Sequence, residues 1–352
     1  MQKRVLGRTN LEVSIIGMGG IPIRRPSEDD AVAVLRHAMD SGINYFDTAR
    51  GYVRSEERLA KAIAGRREQC VIASKAGDRT KEALLSSIEE SLKTLGTDYI
   101  DVYKYHGVSQ TAQLDRLLAP DGPLEGLKAA QQQGKIRYIG LSGHNPDVLV
   151  DAVRTGQFDV ILVACNFVKN EAAHELLPLC RELDVGVTIM KPLGGSLLAS
   201  HADLALRWVL QHPVSTVPVG MWRKSEVDYN VRVGETFERL TAEEQSVLDE
   251  LAAMWDRSYC RLCYRHRPCP KDVPIDNLMI TDLMYRRHGM PELMGERSFK
   301  QDVAAAGACA TCEEKQACTD SCTYKLSIPE LLSRVHETYM PIIEQYERRH
   351  GA

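Results

Sequence analysis

The feature that most constrains this chain is a beat. Over the first 235 residues, short runs rich in β-branched residues alternate with longer amphipathic stretches, the pattern of repeated βα units feeding a parallel sheet. The runs read as strands are 15–18, 44–47, 70–74, 99–105, 136–141, 160–164, 186–190 and 216–219. Helix-like segments follow them at 27–40, 55–64, 80–95, 124–133, 146–155, 172–183, 203–211 and 225–233. Several of these have Ser, Thr or Asp near the start and a glycine soon after the end, as at Gly42, Gly96, Gly134 and Gly156, which is cap chemistry at both termini. Eight strands, each followed by a helix, is the count of a (β/α)8 TIM barrel, in which chemistry sits at the carboxyl ends of the strands. An open doubly wound sheet is the competing architecture. It is weakened because no GxGxxG run follows an early strand.

The chain has 352 residues, more than the roughly 250 of a typical barrel, so an appendage is expected. The ten cysteines locate it. Cys70, Cys165 and Cys180 are scattered and read as small buried hydrophobes; the other seven lie between Cys260 and Cys322. We therefore read a barrel over 1–240 and a small, mainly helical, cysteine-rich domain over 241–352, entered through a helix at Thr241–Met254. MQKRVLGRTN contains no apolar signal core, which points to a cytoplasmic protein whose clustered thiols are metal ligands rather than disulfides. Apolar stretches such as 160–165 fall far short of the ~18 residues a membrane span needs. A formal charge of −4 is of the wrong sign for gripping phosphate backbones. Neither membrane nor nucleic acid is an expected partner.

The carboxyl ends of the early strands carry Asp47 with Tyr52 just downstream, Lys75, and His106. Singly, each is more often a packing or salt-bridge residue. Together they form equipment for protonating a carbonyl oxygen while a hydride reaches its carbon. An ammonium beside a tyrosine favours the phenolate, a carboxylate holds that ammonium charged, and a histidine orients the carbonyl or relays the proton.

These residues resemble the aldo-keto reductase family. GINYFDTARGYVRSEERLAKAI, ASKAG, DVYKYHG, GKIRYIGLSGHN, VTIMKPLGG and VPVGMWRKSEVDYN occur in family order across roughly residues 3–235. The resemblance implies a (β/α)8 barrel, a catalytic tetrad of Asp47, Tyr52, Lys75 and His106, and NADPH or NADH bound across the barrel mouth. It assigns Ser142 and Asn166 to the nicotinamide carboxamide, although the residue after Ser142, usually Asn, is Gly143. Met190 stands where a ring-stacking aromatic is usual. Gly220 opens the pyrophosphate and adenosine loop, Arg223, Lys224 and Ser225 reach toward a 2′-phosphate, and Asn230 lies beside the adenine. Two adjacent cations favour NADPH, against the reading of a solvated basic turn. Arg24, Arg25, Arg50 and Arg54 either rim the mouth, recruiting an acidic substrate or partner, or form a solvated face.

The tail reads CRLCYRHRPCP from Cys260 and CATCEEKQACTDSCTYKLSIP from Cys309. It looks like a divergent pair of ferredoxin C-x2-C-x2-C-x3-C-P runs, in which the fourth cysteine ligates the other cluster, and is similar to the iron–sulfur module of one branch of aldo-keto reductases. His266 replaces one third cysteine, and three extra residues separate Cys312 from Cys318. Crossing the fourth ligands gives one set of Cys269, Cys309, Cys312 and Cys318, and another of Cys260, Cys263, Cys322 and His266, for one or two 4Fe-4S clusters. Structural zinc is the competing reading. The functional expectation is an NADPH-dependent oxidoreductase acting on a small carbonyl or alcohol, with a ferredoxin-like protein as a further partner. The alternatives are an iron–sulfur electron-transfer or scaffold protein with a weakly binding barrel, and a zinc-stapled reductase.

Overall fold

The computed structural model describes residues 1–266, 268–281, 284–285, 290–294 and 298–350. The chain divides into two compact units, one of residues 1–194 and 200–246, the other of 195–199 and 247–352. The division falls inside the helix Ala242–Trp255.

In the first unit, a short antiparallel hairpin of β1 (Lys3–Val5) and β2 (Glu12–Ser14) precedes eight parallel strands. These are β3 (Ile16–Gly19), β4 (Tyr45–Asp47), β5 (Val71–Ala76), β6 (Ile100–Tyr105), β7 (Ile136–Gly143), β8 (Val160–Ala164), β9 (Gly186–Met190) and β10 (Val217–Gly220). From β3 to β9 each strand pairs with the next in sequence, and β10 pairs with β3. A parallel bridge between Thr188 and Thr216 joins β9 to the segment entering β10 and completes the round. Near-continuous apolar runs such as 160–164 suit this setting, because strands of an all-parallel sheet are covered on both faces.

Every expected strand is present, with boundaries moved by at most two residues. The helices begin where side chains satisfy orphan amides: Ser27 accepts from the Asp30 amide, Thr80 from Ala83 and Asn145 from Asp147. Gly96 ends Lys81–Leu95 in the left-handed region at φ 64°, a conformation that costs glycine little. Three features go beyond the sequence reading. The hairpin was not expected; an extra helix, Thr111–Leu118, precedes Pro123–Gln132; and the segment around 172–183 is split into a 3-10 turn and Leu176–Glu182. Leu6 and Val13 of the hairpin region are fully buried with Tyr45, Val71, Ala73, Val102 and Val160. Apolar packing thereby plugs the end of the barrel at which the strands begin.

The second unit contains helices and no strand among the described residues. Its long terminal helix, Ile328–His350, shares a core with Phe299–Ala306 and Ile275–Leu278. Leu332 and Ile343 supply the helix side of that core, and Val303 and Leu278 face them. No described helix is long and apolar enough to cross a membrane.

Candidate active site

Strand parity builds the site. Tyr45, Val71, Ala73 and Val102 fill the barrel interior, and side chains two residues apart share a face. The inward row therefore continues through Asp47 on β4, Lys75 on β5 and Lys104 on β6, with His106 immediately beyond. Asp47, Lys75 and Lys104 are all buried. Lys75 Nζ lies 2.5 Å from Asp47 Oδ1 and donates to the Thr48 carbonyl at 2.8 Å. Lys104 Nζ lies 2.5 Å from Asp47 Oδ2 and 3.2 Å from the Tyr45 hydroxyl. Lys75 and Lys104 face each other in register across β5 and β6, an unfavourable pairing resolved by the carboxylate between them.

The four residues expected to act together are brought together. The Lys75 ammonium sits 4.7 Å from the centroid of the Tyr52 ring. The rings of Tyr52 and His106 meet edge to face, 6.0 Å apart at 83°. The Tyr52 loop is pinned by backbone bonds from Thr48 to Ala73, from Arg50 to Lys75 and from Tyr52 to Ala49. Burial alone would raise the Asp47 pKa, but Lys104 and Lys75 hold the carboxyl below its ordinary range. Burial first, then the Lys75 ammonium, lowers the His106 pKa to about 4; Asp47 opposes this and Lys104 adds to it. His106 is therefore neutral near pH 7. Tyr45, pushed up by burial and then by Asp47, is a neutral hydroxyl.

Lys104 is the residue the sequence reading missed. Its signal was present: in DVYKYH it shares parity with His106.

The sequence pattern of the Aldo/keto reductase family matches residues 15–202. The chain is 32% identical over 304 residues to L-galactose dehydrogenase of Arabidopsis thaliana, covering 72% of this chain and 94% of that one. The chain belongs to the aldo/keto reductase family. Its barrel resembles the holo form of aldo-keto reductase AKR11C1 from Bacillus halodurans, with a TM-score of 0.63 and 28% identity over 71% of this chain and 96% of that one. It also resembles an aldo-keto reductase from Klebsiella pneumoniae in complex with NADPH, with a TM-score of 0.61 and 25% identity over 72% and 96% of the respective chains.

The positions at which aldo-keto reductase resemblance suggested cofactor contacts differ in how they present themselves. Ser142 is buried; its hydroxyl accepts from the Gly107 amide at 3.0 Å and lies 3.3 Å from the Tyr105 carbonyl, and its own carbonyl accepts from Gly107 and Val108. It ties down the loop that carries His106. The glycine after it has a steric cause, since a Cβ at Gly143 would lie 2.1 Å from the Val108 carbonyl oxygen. Asn166 is fully buried. Its Oδ1 accepts from the Val168 and Lys169 amides, and its Nδ2 donates to the Lys191 carbonyl, so in this structure the side chain shapes its loop. Met190 is half-buried at the end of β9.

Gly220 admits Pro22, whose Cγ would stand 2.7 Å from an added Cβ. Arg223 and Ser225 are exposed, and the Arg223 guanidinium stacks 4.1 Å from the Trp222 ring. Lys224 lines an open groove with Glu28, His37 and Asp40. Asn230 is buried, and its Oδ1 has no hydrogen-bond partner among the described residues. Arg50 is not an available rim cation, because Glu56 and Glu90 bind its guanidinium. Arg54 is exposed at φ 63°.

In the second unit, Cys269, Cys309, Cys312 and Cys318 line one small pocket. Cys260, Cys263, His266 and Cys322 line another. None of the ten cysteines forms a disulfide. Burial, and then Cys269, Cys312 and Cys318, push the Cys309 thiol up to about 11. The Lys271 amide donates to Cys269 Sγ at 3.4 Å, and Leu262 and Tyr264 hold positive φ of 52° and 57° around Cys263. Among the described residues, no three His, Cys, Asp or Glu side chains converge closely enough to hold one metal ion. His266 Nε2 is 2.8 Å from Asp276 Oδ1. By contrast, Cys70, Cys165 and Cys180 are buried in the first unit, and burial raises their pKa values to about 11, 12 and 12. These are inert thiols.

Proposed function

We propose that this chain is an NADPH-dependent reductase of small carbonyl compounds, or the reverse alcohol dehydrogenase, and that its second unit is an iron–sulfur module. The observation that carries the first part is the assembly of Tyr52, Lys75, Asp47 and His106 at one end of the barrel. Tyr52 donates its proton to the carbonyl oxygen. Lys75, held by Asp47 and the Thr48 carbonyl, stabilises the phenolate left behind. His106, neutral, donates a hydrogen bond that orients the carbonyl without competing as an acid. The nicotinamide cofactor supplies the hydride. Arg223 and Ser225 would hold its 2′-phosphate, the Asn230 oxygen its adenine amine, and Met190 and Ser142 the nicotinamide region, with Asn166 supporting the loop behind it.

The domain boundary near residue 240 and the crossed ligand sets belong to the same proposal. Two cavities, each ringed by three or four thiols, support a cluster whose four irons take one ligand each. Structural zinc on the same ligand sets is the competing reading. A cluster carries one electron at a time. Hydride transfer moves two, so the tetrad operates without the clusters, and their assigned role is to cross-link a small unit. A ferredoxin-like partner becomes relevant if they prove redox-active.

Two measurements test these parts. Titration of NADPH into the protein should show micromolar binding and turnover of a simple aldehyde; absence of binding favours an electron-transfer or scaffold protein. Iron, sulfide and zinc should be determined on anaerobically purified protein. About eight irons with matching sulfide support two four-iron clusters, and zinc without sulfide overturns the iron–sulfur reading.

A further inference from the structure

Lys104 has no place in the chemistry described above, yet the barrel makes room for it. Its register partner on β7 is Gly140, where an added Cβ would lie 2.5 Å from Lys104 Cγ. The side chain is fully buried, 2.5 Å from Asp47 Oδ2 and within hydrogen-bond distance of the Tyr45 hydroxyl. A second buried ammonium costs desolvation that one shared carboxylate only partly offsets, so its presence calls for a role.

We propose that Lys104 is a positioning residue of this site, which grips the Asp47 oxygen that Lys75 leaves and so fixes the carboxylate that holds Lys75 beneath Tyr52. This role rests on the reductase reading and adds to it. With both carboxylate oxygens held, Asp47 cannot rotate away from Lys75. One carboxylate against two ammoniums also leaves the floor of the site with a surplus positive charge. That charge stabilises the negative charge Tyr52 acquires when its proton moves to the carbonyl oxygen. The groups acting on His106 are Asp47 from β4, Lys75 from β5, Lys104 from β6 and Tyr52 from the loop after β4.

The test is the Lys104→Gln variant, which keeps a hydrogen-bond donor for Asp47 and removes the charge. Proton NMR of His106 in the full chain, without cofactor or substrate, should show its titration midpoint rising toward that of a free imidazole. With NADPH and an aldehyde, kcat should fall about tenfold while KM for NADPH stays unchanged. Lys104→Arg should return the midpoint toward that of the unsubstituted protein. Lys104→Met, which keeps the apolar stem beside Gly140 but removes the donor to Asp47 as well as the charge, tests the grip itself, should lower kcat further, and serves where the glutamine variant does not fold. A folded, charge-free variant whose His106 midpoint and kcat match the unsubstituted protein overturns the proposal. Because the titration needs no turnover, it reports on Lys104 even if Tyr52→Phe keeps full activity and the reductase reading fails.

Discussion

The barrel site and the cysteine-rich unit solve the problem of buried polar groups in opposite ways. At the barrel mouth, donors and acceptors satisfy one another: Asp47 takes Lys75 and Lys104, Lys75 also takes the Thr48 carbonyl, and Ser142 secures the loop of His106. The site stands assembled on rigid strands before any ligand arrives. In the second unit, the thiols ring two cavities instead of pairing into disulfides. On the iron–sulfur reading proposed above, an inserted group completes that arrangement, and its binding would contribute directly to folding. On that reading, pre-organisation comes from side-chain pairing in one region and would be supplied by a ligand in the other.

The largest effect that would break this contrast is on catalysis. Tyr52→Phe should lower turnover about 10² to 10⁴-fold with NADPH binding retained in a fluorescence titration. Full activity would mean that the assembled tetrad is not the proton source. Next, Cys318→Ser should remove about four of about eight irons and lower the thermal transition of the second unit, leaving NADPH binding to the barrel intact. An unchanged iron content would show that Cys318 is not a ligand.

A smaller effect concerns Gly143. Replacing it with the usual asparagine should destabilise the first unit by about 1–3 kcal/mol, measured by denaturant unfolding, because even the Cβ meets the Val108 carbonyl. A neutral or stabilising result would mean that the loop after β6 yields easily. A further effect is the pH dependence of stability. The His106 pKa of about 4 in the folded chain lies below the ~6.5 of a free imidazole, so the unfolded state binds the proton more readily. The resulting stability is fully present above pH ~6.5 and is lost as pH falls through about 4. His106→Gln should flatten that part of the stability profile of the first unit.

Much of the barrel was legible because parallel strands leave a one-dimensional record. Runs such as VILVA at 160–164 are apolar on both faces, and glycines such as Gly96 mark helix ends. The hairpin Lys3–Ser14 was not legible, since its strands are three residues each and only Leu6 and Val13, meeting Tyr45 and Val102 across the chain, reveal its function as a plug. Lys104 was half legible. Parity placed it on the inward row, but nothing in the sequence shows that Asp47 offers it the oxygen Lys75 does not use. Arg50 was left open between a rim cation and a solvated face, and only the fold shows that Glu56 and Glu90 claim it.

By itself, then, the sequence determined the βα order, the identities of Asp47, Tyr52, Lys75 and His106, and the grouping of the cysteines into two runs. These are properties of spacing and side-chain chemistry along one dimension. Tertiary structure alone decided which groups remain available. Closing the barrel brought two lysines to one carboxylate, left no room for a side chain at residue 143, and used the amide of Asn166 to hold its own loop. Hydrogen-bond satisfaction and steric exclusion depend on neighbours far apart in the chain, and only the fold brings those neighbours together.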